Sequence, residues 1–283
     1  PNISHVHIFT RPTILAIYLR FRFGIPFLIT EHSSHFVHDL PILLPPKKWF
    51  AQYVSRSAKF VTAVSKTLEK AMDDFGFHGN YRIVPNVIFV KENKTTVSLG
   101  DEVRIIAIAG LTDGRKNIAG LIETFGNIHL QIPMATLHII RPIKDNSLMS
   151  KAIETSLLNN KIFFHDYLSN DAVYEMLFNS SFLVVNSLSE TFSMSAAEAL
   201  ACGKPVISTR CGGPEEFITE EIGRLIEVNN PAILEEALKW MYEHHKEFDP
   251  QKLKKYVKQK FSMEVVGKLI SSLYEEMLNH KSQ

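Results

Sequence analysis

Short apolar runs alternate with amphipathic stretches along most of the chain, which is the pattern of a parallel α/β fold. Runs rich in Val, Ile, Leu and Phe predict strands. The predicted strands are His5–Phe9, Pro26–Thr30, Phe60–Val64, Arg82–Pro85, Val103–Ala109, Thr136–Ile140, Lys161–Phe164 and Phe182–Asn186, with a further β-branched strand after Pro205.

Stretches with apolar residues every three or four positions predict helices between these strands. The predicted helices are Thr13–Phe21, Pro46–Ser57, Lys66–Asp74 with Ser65 as its cap, Asn117–Asn127, Ser147–Leu158, Asn170–Phe178, Met194–Ala201, Pro231–His245 and Ser262–Leu278. The segment from about Val90 to Glu102 is polar and has no apolar period, so we expect an interdomain linker there.

Length and composition narrow the class of protein. A chain of 283 residues allows about two domains, and 45% hydrophobic with 22% charged residues is ordinary for a soluble globular protein. Cys202 and Cys211 do not form a disulfide framework, which predicts a reducing, cytoplasmic compartment. No run is apolar enough to span a membrane, and no signal peptide is visible. Because the chain begins with Pro1 and not Met, we expect that it lacks its true N-terminus.

Charge is distributed unevenly between the two halves. Residues 1–95 hold 12 Lys or Arg against 6 Asp or Glu, and the remainder holds 19 against 24. One interpretation is contact with an anionic membrane surface or a phosphate-bearing acceptor, and the alternative of an ordinary solvated surface stays open. The residues of this contact would be Lys47, Lys48, Arg56 and Lys59 around Trp49 and Phe50. Nucleic acid is not expected, because neither a strong basic total nor a binding motif is present.

The densest candidate chemistry lies between Glu190 and Glu216. The Ala-rich helix in this segment is predicted to start at Ser193 or Ser195 as the N-cap. Free amides and the positive end of the helix dipole make that start an anion site, suited to a diphosphate. Carboxylates such as Glu190 and Glu198 accept strong hydrogen bonds from paired sugar hydroxyls. The segment therefore suits a ligand that carries both hydroxyls and phosphates.

The ordered string of residues in this segment resembles the E-x7-E signature of the family 4 retaining glycosyltransferases. Glu190 and Glu198 match the two glutamates of the signature, and Phe192 lies between them. The similarity continues through Ala199-Leu200-Ala201-Cys202-Gly203-Lys204-Pro205-Val206, through Gly212-Gly213-Pro214-Glu215-Glu216, and to a turn with Gly223 and Leu225. Gly203 is predicted to close the helix, and Pro205 prevents its continuation.

The resemblance covers essentially the whole chain and implies the GT-B fold, in which two Rossmann-like parallel-sheet domains face a cleft. We expect the first domain to be incomplete. A partial N-terminal, acceptor-side domain is expected over residues 1–95 and a C-terminal nucleotide-sugar-binding domain over 96–265. A C-terminal helix over 266–283 is expected to pack back toward the N-terminal domain.

Two further motifs resemble parts of the same family. The loop from Gly110 to Asn117 follows a strand and opens a helix, as a phosphate-binding loop does. In the family this loop gives an Arg and a Lys to the donor diphosphate. Lys116 matches the Lys, and Gly110 matches the glycine that commonly precedes the Arg. Arg115 is a substitute for that Arg and ranks below Lys116, because its side chain could equally point to solvent.

The second motif is Thr30-Glu31-His32-Ser33, which looks like the short motif whose His reaches the donor sugar. An ordinary surface or core histidine is the alternative for His32. His32, His35 and His38 recur every three residues, but no carboxylate or cysteine pattern supports a metal site, so no metal or cofactor is expected.

The chain departs from the family in three loops. Arg141-Pro142-Ile143 and Asp166 stand where glycines are usual near the base and ribose, so the identity of the base stays open. Ser193 stands where many relatives have glycine, and it keeps the backbone amide that a phosphate needs.

The resemblance implies a retaining, hexosyltransferase-type glycosyltransferase in polysaccharide or glycolipid assembly. Its donor would be a nucleotide-diphosphate sugar and its acceptor a glycan or lipid-linked hydroxyl, at the cytoplasmic face of a membrane. The implied catalytic residues are Glu190, Lys116 and His32, and the implied donor-binding residues are Glu198, Arg115, Phe192, Ser193, Met194, Ser195 and Gly110. A nucleotide-sugar epimerase of the same fold and a non-catalytic nucleotide-sugar-binding protein are the two alternatives.

Overall fold

The computed structural model describes residues 1–9, 12–33, 35–38, 45–92, 100–109, 114–140, 160–166 and 168–279, except the side chains of residues 35, 38 and 45. Contacts divide the chain into two compact units. The first unit comprises Pro1–Val87, Glu190–Phe192 and Phe261–Gln283. The second unit comprises Ile88–Ser189 and Ser193–Lys260.

The described residues form ten strands and ten α-helices. The strands are β1 (Ser4–His7), β2 (Phe27–Glu31), β3 (Phe60–Ala63), β4 (Tyr81–Ile83), β5 (Val103–Ile108), β6 (Ala135–Ile140), β7 (Ile162–His165), β8 (Phe182–Val185), β9 (Val206–Thr209) and β10 (Gly223–Ile226). The helices are α1 (Pro12–Phe23), α2 (His35–His38), α3 (Pro45–Ser57), α4 (Lys66–Asp74), α5 (Ile118–Ile128), α6 (Asn170–Phe178), α7 (Met194–Ala201), α8 (Pro231–His244), α9 (Pro250–Phe261) and α10 (Met263–Asn279).

The first unit is built on a parallel sheet with the order β1-β2-β3-β4. Because the strands advance in one direction and crossovers between parallel strands are right-handed, α1, α3 and α4 lie on one face of this sheet. The helix α10 supplies Val266, Leu273 and Met277 to a hydrophobic core that also contains Leu28, Phe60 and Val84. Helix α10 is therefore part of the first unit.

The register of this sheet gathers polar side chains on one face. His7 pairs with Thr30, and Thr30 pairs with Thr62 on the next strand. Side chains alternate between faces along a strand, so His5 lies on the same face as His7. This row of polar residues leads to the carboxyl end of β2, where His32 follows.

The second unit has a six-stranded parallel sheet with the order β10-β9-β8-β5-β6-β7. The chain builds outward from β5 through β6 and β7, and then returns past β5 to add β8, β9 and β10. The strand order therefore reverses between β5 and β8. Its core is a cluster of fully buried residues, among them Ile105, Phe125, Leu137, Phe182 and Leu238.

Most predicted elements agree with the structure to within one or two residues, and Ser65 caps α4 through its side chain as predicted. The predicted turn with Gly223 and Leu225 is wrong, because these residues lie in β10. The predicted helix Ser147–Leu158 lies outside the described residues.

The sequence reasoning missed α9. This helix is rich in lysine and buries one narrow stripe, formed by Leu253, Val257 and Phe261. Three apolar residues among five lysines give too weak a period to indicate a helix. The strand β10 gave no signal because it is short and begins with glycine.

Candidate functional site

The strand reversal between β5 and β8 creates a crevice at the carboxyl ends of these strands, the position where open parallel α/β sheets bind ligands. The loops after the two strands are hydrogen bonded to each other. The Leu188 N–H donates to the Arg115 carbonyl at 2.7 Å, and the Asn186 side chain donates to the Asn117 carbonyl at 3.1 Å. The two loops of the second unit that carry candidate residues therefore form one junction.

Arg115 and Lys116 occupy a 3₁₀ turn, Gly114–Lys116, on the β5 side of this junction. Both residues are half-buried. Asn117 has a left-handed backbone (φ 43°) and starts α5. Two cations are thus placed beside the crevice, while Gly110 lies outside the described residues.

Helix α7 begins on the β8 side of the junction. Ser193 is the N-cap residue, one of the two that the sequence predicted, but its side chain makes no capping hydrogen bond. Its backbone is left-handed (φ 70°), a conformation that favours glycine. Ser195 lies inside the first turn, and its hydroxyl is 3.4 Å from that of Ser193. Amides at a helix start have no carbonyl partner within the helix, so they favour an anion.

The end of α7 follows the prediction closely. The Gly203 N–H donates to the Leu200 carbonyl and the Lys204 N–H to the Ala199 carbonyl, both at 2.9 Å. Gly203 itself is left-handed (φ 76°) and follows Cys202, the cap residue. These bonds form a Schellman motif. The short helix is therefore fixed at its end by hydrogen bonds that glycine makes accessible.

Glu198 lies in α7, where burial raises the pKa of its carboxyl group to about 7, and the Lys91 ammonium partly opposes this rise. Burial also raises the pKa of Tyr174, and the charge of Glu198 adds to this rise. The same two causes raise the pKa of Cys202 to about 12. Glu198 is thus a half-buried carboxyl group with reduced access to water. Partial charges from sugar hydroxyls would stabilise its ionised form.

Sequence reasoning missed the neighbours of Glu198. The Lys91 Nζ is 2.6 Å from the Asp171 carboxylate and 4.3 Å from the centre of the Tyr174 ring. The Tyr174 hydroxyl donates to the Phe89 carbonyl at 3.2 Å. Lys91 lies at the start of the segment predicted as linker, so nothing in the local sequence marked it as a charge partner of α7.

Glu190 and Phe192 belong to the first unit. Glu190 is half-buried. Phe192 is buried and packs edge-on against Phe261, with ring centres 5.2 Å apart. Because the ring packs against Phe261, the backbone of Phe192 is the part that is available to a nucleotide-sugar ligand.

His32 follows β2 in the first unit, and its ring is stacked on that of His7. Burial and the neighbouring His7 lower the pKa of His32. The side chains of His35 and His38 lie outside the described residues. Within the part of the chain that the structure describes, no group of three or more His, Cys, Asp or Glu residues could hold a metal ion.

An exposed basic and aromatic surface lies on α1 and α3 of the first unit. Trp49 is 74% exposed and Phe21 69% exposed, and the Phe21 ring is stacked on Tyr53 at 6.4 Å. We define the helical surface by its exposed residues Phe21, Trp49, Phe50, Tyr53, Arg20, Arg22, Lys47 and Arg56. Neither helix contains an acidic residue. Of the other two predicted contact residues, Lys48 lies over the Phe75 ring and Lys59 is half-buried.

No helix in the described parts of the chain is both long and apolar enough to cross a membrane.

Comparison with known proteins gives two family matches. The model of the family described as glycosyl transferases group 1 matches residues 90–260. The model described as glycosyltransferase family 4 matches residues 1–91. Together they cover residues 1–260.

An uncharacterized glycosyltransferase of Methanocaldococcus jannaschii is 28% identical over 98% of this chain and 76% of its own length. Among solved structures, sucrose-phosphate synthase from Thermosynechococcus elongatus has a TM-score of 0.81 at 19% identity, covering 99% of this chain and 74% of that one. Anabaena HepE in complex with UDP-glucose has a TM-score of 0.79 at 15% identity, covering 96% and 78%. These structural matches confirm the predicted GT-B fold.

Proposed function

Because the chain belongs to the group 1 glycosyltransferases, we propose that it transfers a sugar from a nucleotide-diphosphate donor to an acceptor hydroxyl with retention at the anomeric carbon. In this reaction the bond between the anomeric carbon and the diphosphate oxygen breaks. A bond to the acceptor oxygen forms on the same face of the sugar. The acceptor proton passes to the departing diphosphate, which leaves as a nucleoside diphosphate.

The junction between the loops after β5 and β8 is the observation that carries this proposal. It joins the turn with Arg115 and Lys116 to the loop that leads into α7. Cations and helix-start amides that are fixed before the reaction stabilise charge that develops on a leaving diphosphate. A divalent metal is not needed for that role in the proposed mechanism.

The remaining candidates contact sugars in the proposal. Glu198 accepts hydrogen bonds from the ribose hydroxyls, and its burial makes these bonds strong once the carboxylate is ionised. Glu190 accepts hydrogen bonds from hydroxyls of the donor sugar, and His32 contacts the same sugar. HepE, a structural neighbour, is solved with UDP-glucose, so uridine is the first base to test.

The test is incubation of the chain with UDP-, GDP- and ADP-sugars, with and without glycan and lipid-linked acceptors. Two results together support the proposal. Nucleoside diphosphate is released only when an acceptor is present, and the anomeric configuration of the product is the same as that of the donor sugar. Interconversion of the donor sugar would indicate an epimerase instead. Tight nucleotide binding without either reaction would indicate a non-catalytic binding protein.

The Glu190→Ala variant tests the role of that carboxylate. Turnover should fall by at least about 100-fold, because hydrogen bonds made to the reacting sugar are lost. Nucleoside diphosphate affinity should change by less than about threefold, since this ligand lacks the sugar. Glu220→Ala, an exposed glutamate of the second unit, is the control.

We also propose that the protein works at the cytoplasmic face of a membrane, with the helical surface against anionic lipid. Aromatic rings enter the headgroup region, while arginine and lysine attract anionic headgroups, each by about 1 kcal/mol. The absence of acidic residues from α1 and α3 fits a negatively charged partner. The acceptor in this proposal is a hydroxyl of a lipid-linked glycan.

Cosedimentation with vesicles of phosphatidylglycerol and of phosphatidylcholine tests this surface. Binding should require the anionic lipid and weaken as salt rises. The triple variant Arg20→Glu, Arg22→Glu and Arg56→Glu should lose it. The matched control, Lys252→Glu, Lys255→Glu and Lys258→Glu on α9, should bind like the wild type. Equal loss in both variants, or a concentration-dependent dimer in place of vesicle binding, would contradict the proposal.

A further inference from the structure

His32 stands on a loop after β2, where a side chain keeps one orientation only if its neighbours support it. Asn86 forms a hydrogen bond with the side chain of His32, and two further residues support the loop and the ring. Glu31 lies beneath the backbone of the loop, and His7 lies beside the ring. Neither was among the candidate site residues on sequence grounds. Glu31 precedes His32 in the motif, but no local pattern shows that it also binds the distant Phe9 N–H, and His7 is 25 positions away from His32.

Glu31 is a buried carboxylate, only 1% exposed. Its Oε1 accepts hydrogen bonds from the backbone N–H groups of His32 at 2.9 Å and Ser33 at 2.7 Å, and its Oε2 accepts one from the Phe9 N–H at 3.1 Å. Burying a carboxylate costs several kcal/mol unless such charge-assisted bonds satisfy it. Since Phe9 follows β1 and His32 follows β2, one side chain ties together the loops at the ends of two strands.

His7 supports the ring of His32. The His7 Nδ1 is 3.3 Å from the His32 Nε2, and the two rings are parallel to within 4° with centres 5.6 Å apart. The His7 ring is stacked in turn on His5 at 4.5 Å. His32 is thus the outer member of a row of three imidazoles along the edge of the first sheet.

The inner member of the row is anchored on both sides. The His5 Nδ1 is 2.6 Å from the Tyr274 hydroxyl on α10, and its Nε2 is 2.6 Å from the Thr30 hydroxyl. The Thr62 hydroxyl donates to Thr30 at 2.6 Å. Burial, with the two neighbouring histidines, lowers the pKa of His5 to about 4. A neutral His5 donates from one nitrogen and accepts at the other, so both bonds form together.

We propose that Glu31 and His7 are positioning residues that hold the backbone and ring of His32 for contact with the donor sugar. This inference rests on the proposed function for the role of His32. The contacts that carry it all lie within the first unit.

Kinetics with Glu31→Gln test the first half of the proposal. The amide keeps one oxygen for two of the N–H groups but presents an NH₂ group to the third, so the loop shifts. The kcat of sugar transfer should fall about 10- to 100-fold, as expected for small misplacement of a reacting group. The KM for the nucleotide sugar should change less than about threefold, because the proposed diphosphate and ribose contacts belong to the second unit. Asp74→Asn, an exposed acid on α4, is the control, and unchanged kcat in Glu31→Gln overturns the role of Glu31.

A matched pair at His7 tests the second half. Phe keeps a stacking ring without nitrogen, whereas Asn places a polar atom near the position of Nδ1. His7→Phe should lower kcat about tenfold or more, and His7→Asn should restore most of it. Equal activity in the two variants overturns the proposed contact with His32. His7 is exposed, so these variants spare the core and remain informative if Glu31→Gln does not fold.

Hydrogen exchange measured by NMR separates this inference from the proposed function. The Phe9, His32 and Ser33 amides should be protected in the wild type. Exchange at Phe9 should accelerate at least about tenfold in Glu31→Gln and not in Asp74→Asn, since a lost hydrogen bond of about 1.5 kcal/mol is a factor of this size. Wild-type protein that turns over no nucleotide sugar would contradict the proposed function alone. Unprotected amides in the wild type, or unchanged exchange in Glu31→Gln, would overturn the role of Glu31 itself.

Discussion

At the scale of single residues, the environment of Glu198, the proposed ribose-binding residue, favours the uncharged form of its carboxyl group and so opposes folding at high pH. Glu198 is half-buried on α7, and the Lys91 ammonium opposes the rise in pKa that this burial causes. A buried carboxylate gains most from hydroxyl donors that arrive with a ligand. The residue should therefore affect stability and binding in opposite directions.

We expect Glu198→Gln to stabilise the protein at pH 8. The folded carboxyl group has a pKa of about 7 against 4.5 in the unfolded chain, so its contribution to stability is present below pH 4.5 and is lost as pH rises through 7. The variant should gain on the order of 1–3 kcal/mol in the free energy of unfolding at pH 8 and nothing near pH 4. Urea unfolding at both values measures this, with the exposed Glu243→Gln as control.

The same variant should bind nucleoside diphosphate more weakly, by about tenfold, because a charge-assisted hydrogen bond to the ribose becomes a neutral one. Calorimetric titration with UDP and GDP measures the loss. A variant that is both more stable at pH 8 and unimpaired in binding would show that Glu198 is a packing residue only.

Ser193 carries a backbone cost at the start of the same helix. Its left-handed φ of 70° costs a residue with a Cβ roughly 1–2 kcal/mol and costs glycine little. We expect Ser193→Gly to be at least as stable as the wild type, and Ser193→Ala to be less stable than Ser193→Gly. Thermal unfolding of the three proteins decides this, and a Gly variant less stable than the Ala variant would contradict the backbone explanation.

At the scale of elements, the end of α7 fixes the geometry of the segment that enters β9. Gly203 closes the helix and also approaches another element, since a Cβ at this position would lie 2.8 Å from the Pro250 Cβ at the start of α9. The residue therefore has both a conformational and a steric requirement. Gly100 has the conformational requirement without the steric one, so a comparison of the two glycines separates these effects.

Gly203→Ala should destabilise the second unit more than Gly100→Ala does. Both glycines have positive φ, but a Cβ at Gly100 would meet nothing within 4 Å. Gly100→Ala should cost about 1 kcal/mol from its backbone alone, and Gly203→Ala on the order of 2–4 kcal/mol. Equal losses in urea unfolding would show that α9 moves aside without cost.

The sequence predicted elements well where a strong period or a cap marked them. Helix α4 has identical bounds in prediction and structure because Ser65 marks its start and Leu68 and Met72 share one face. Helix α9 was not predicted because its three buried apolar residues lie among five lysines. Strand β10 was not predicted because it is short and begins with glycine. Their positions depend on tertiary packing, which no local pattern records.

The candidate site divides in the same way. Residues in ordered motifs, such as Glu190 and Glu198, could be named from the sequence. The roles of Glu31, His7 and Lys91 could not be predicted, because each makes a contact with a distant segment of the chain. Tyr274, for instance, contacts His5 from the other end of the chain.

At the scale of the whole molecule, helix α10 contributes to the core of the first unit, although it lies far in sequence from the strands of that unit. Met277 and Leu273 are buried against the sheet of residues 4–83, together with Val266. A chain that ends at Ser262 should lose on the order of 5 kcal/mol from these three side chains. Hydrogen exchange should show faster opening of β2 and β3, with UDP binding by the second unit retained. Intact protection of β2 in the shortened chain would contradict the role given to α10.

The division of the chain also decides how members of this family can be recombined. In the sequence, the second unit is inserted into the first, because Pro1–Val87 precedes it and Phe261–Gln283 follows it. The three residues Glu190–Phe192 interrupt the second unit and belong to the first. Under the proposed function, a chimera designed to change the nucleotide-sugar donor should therefore exchange residues 88–260 as one segment and keep helix α10 of the recipient. A simple fusion at residue 87 would instead pack the first sheet against the C-terminal helix of the other protein. Poor packing of that helix against Leu28 and Phe60 would lower the stability of the chimera.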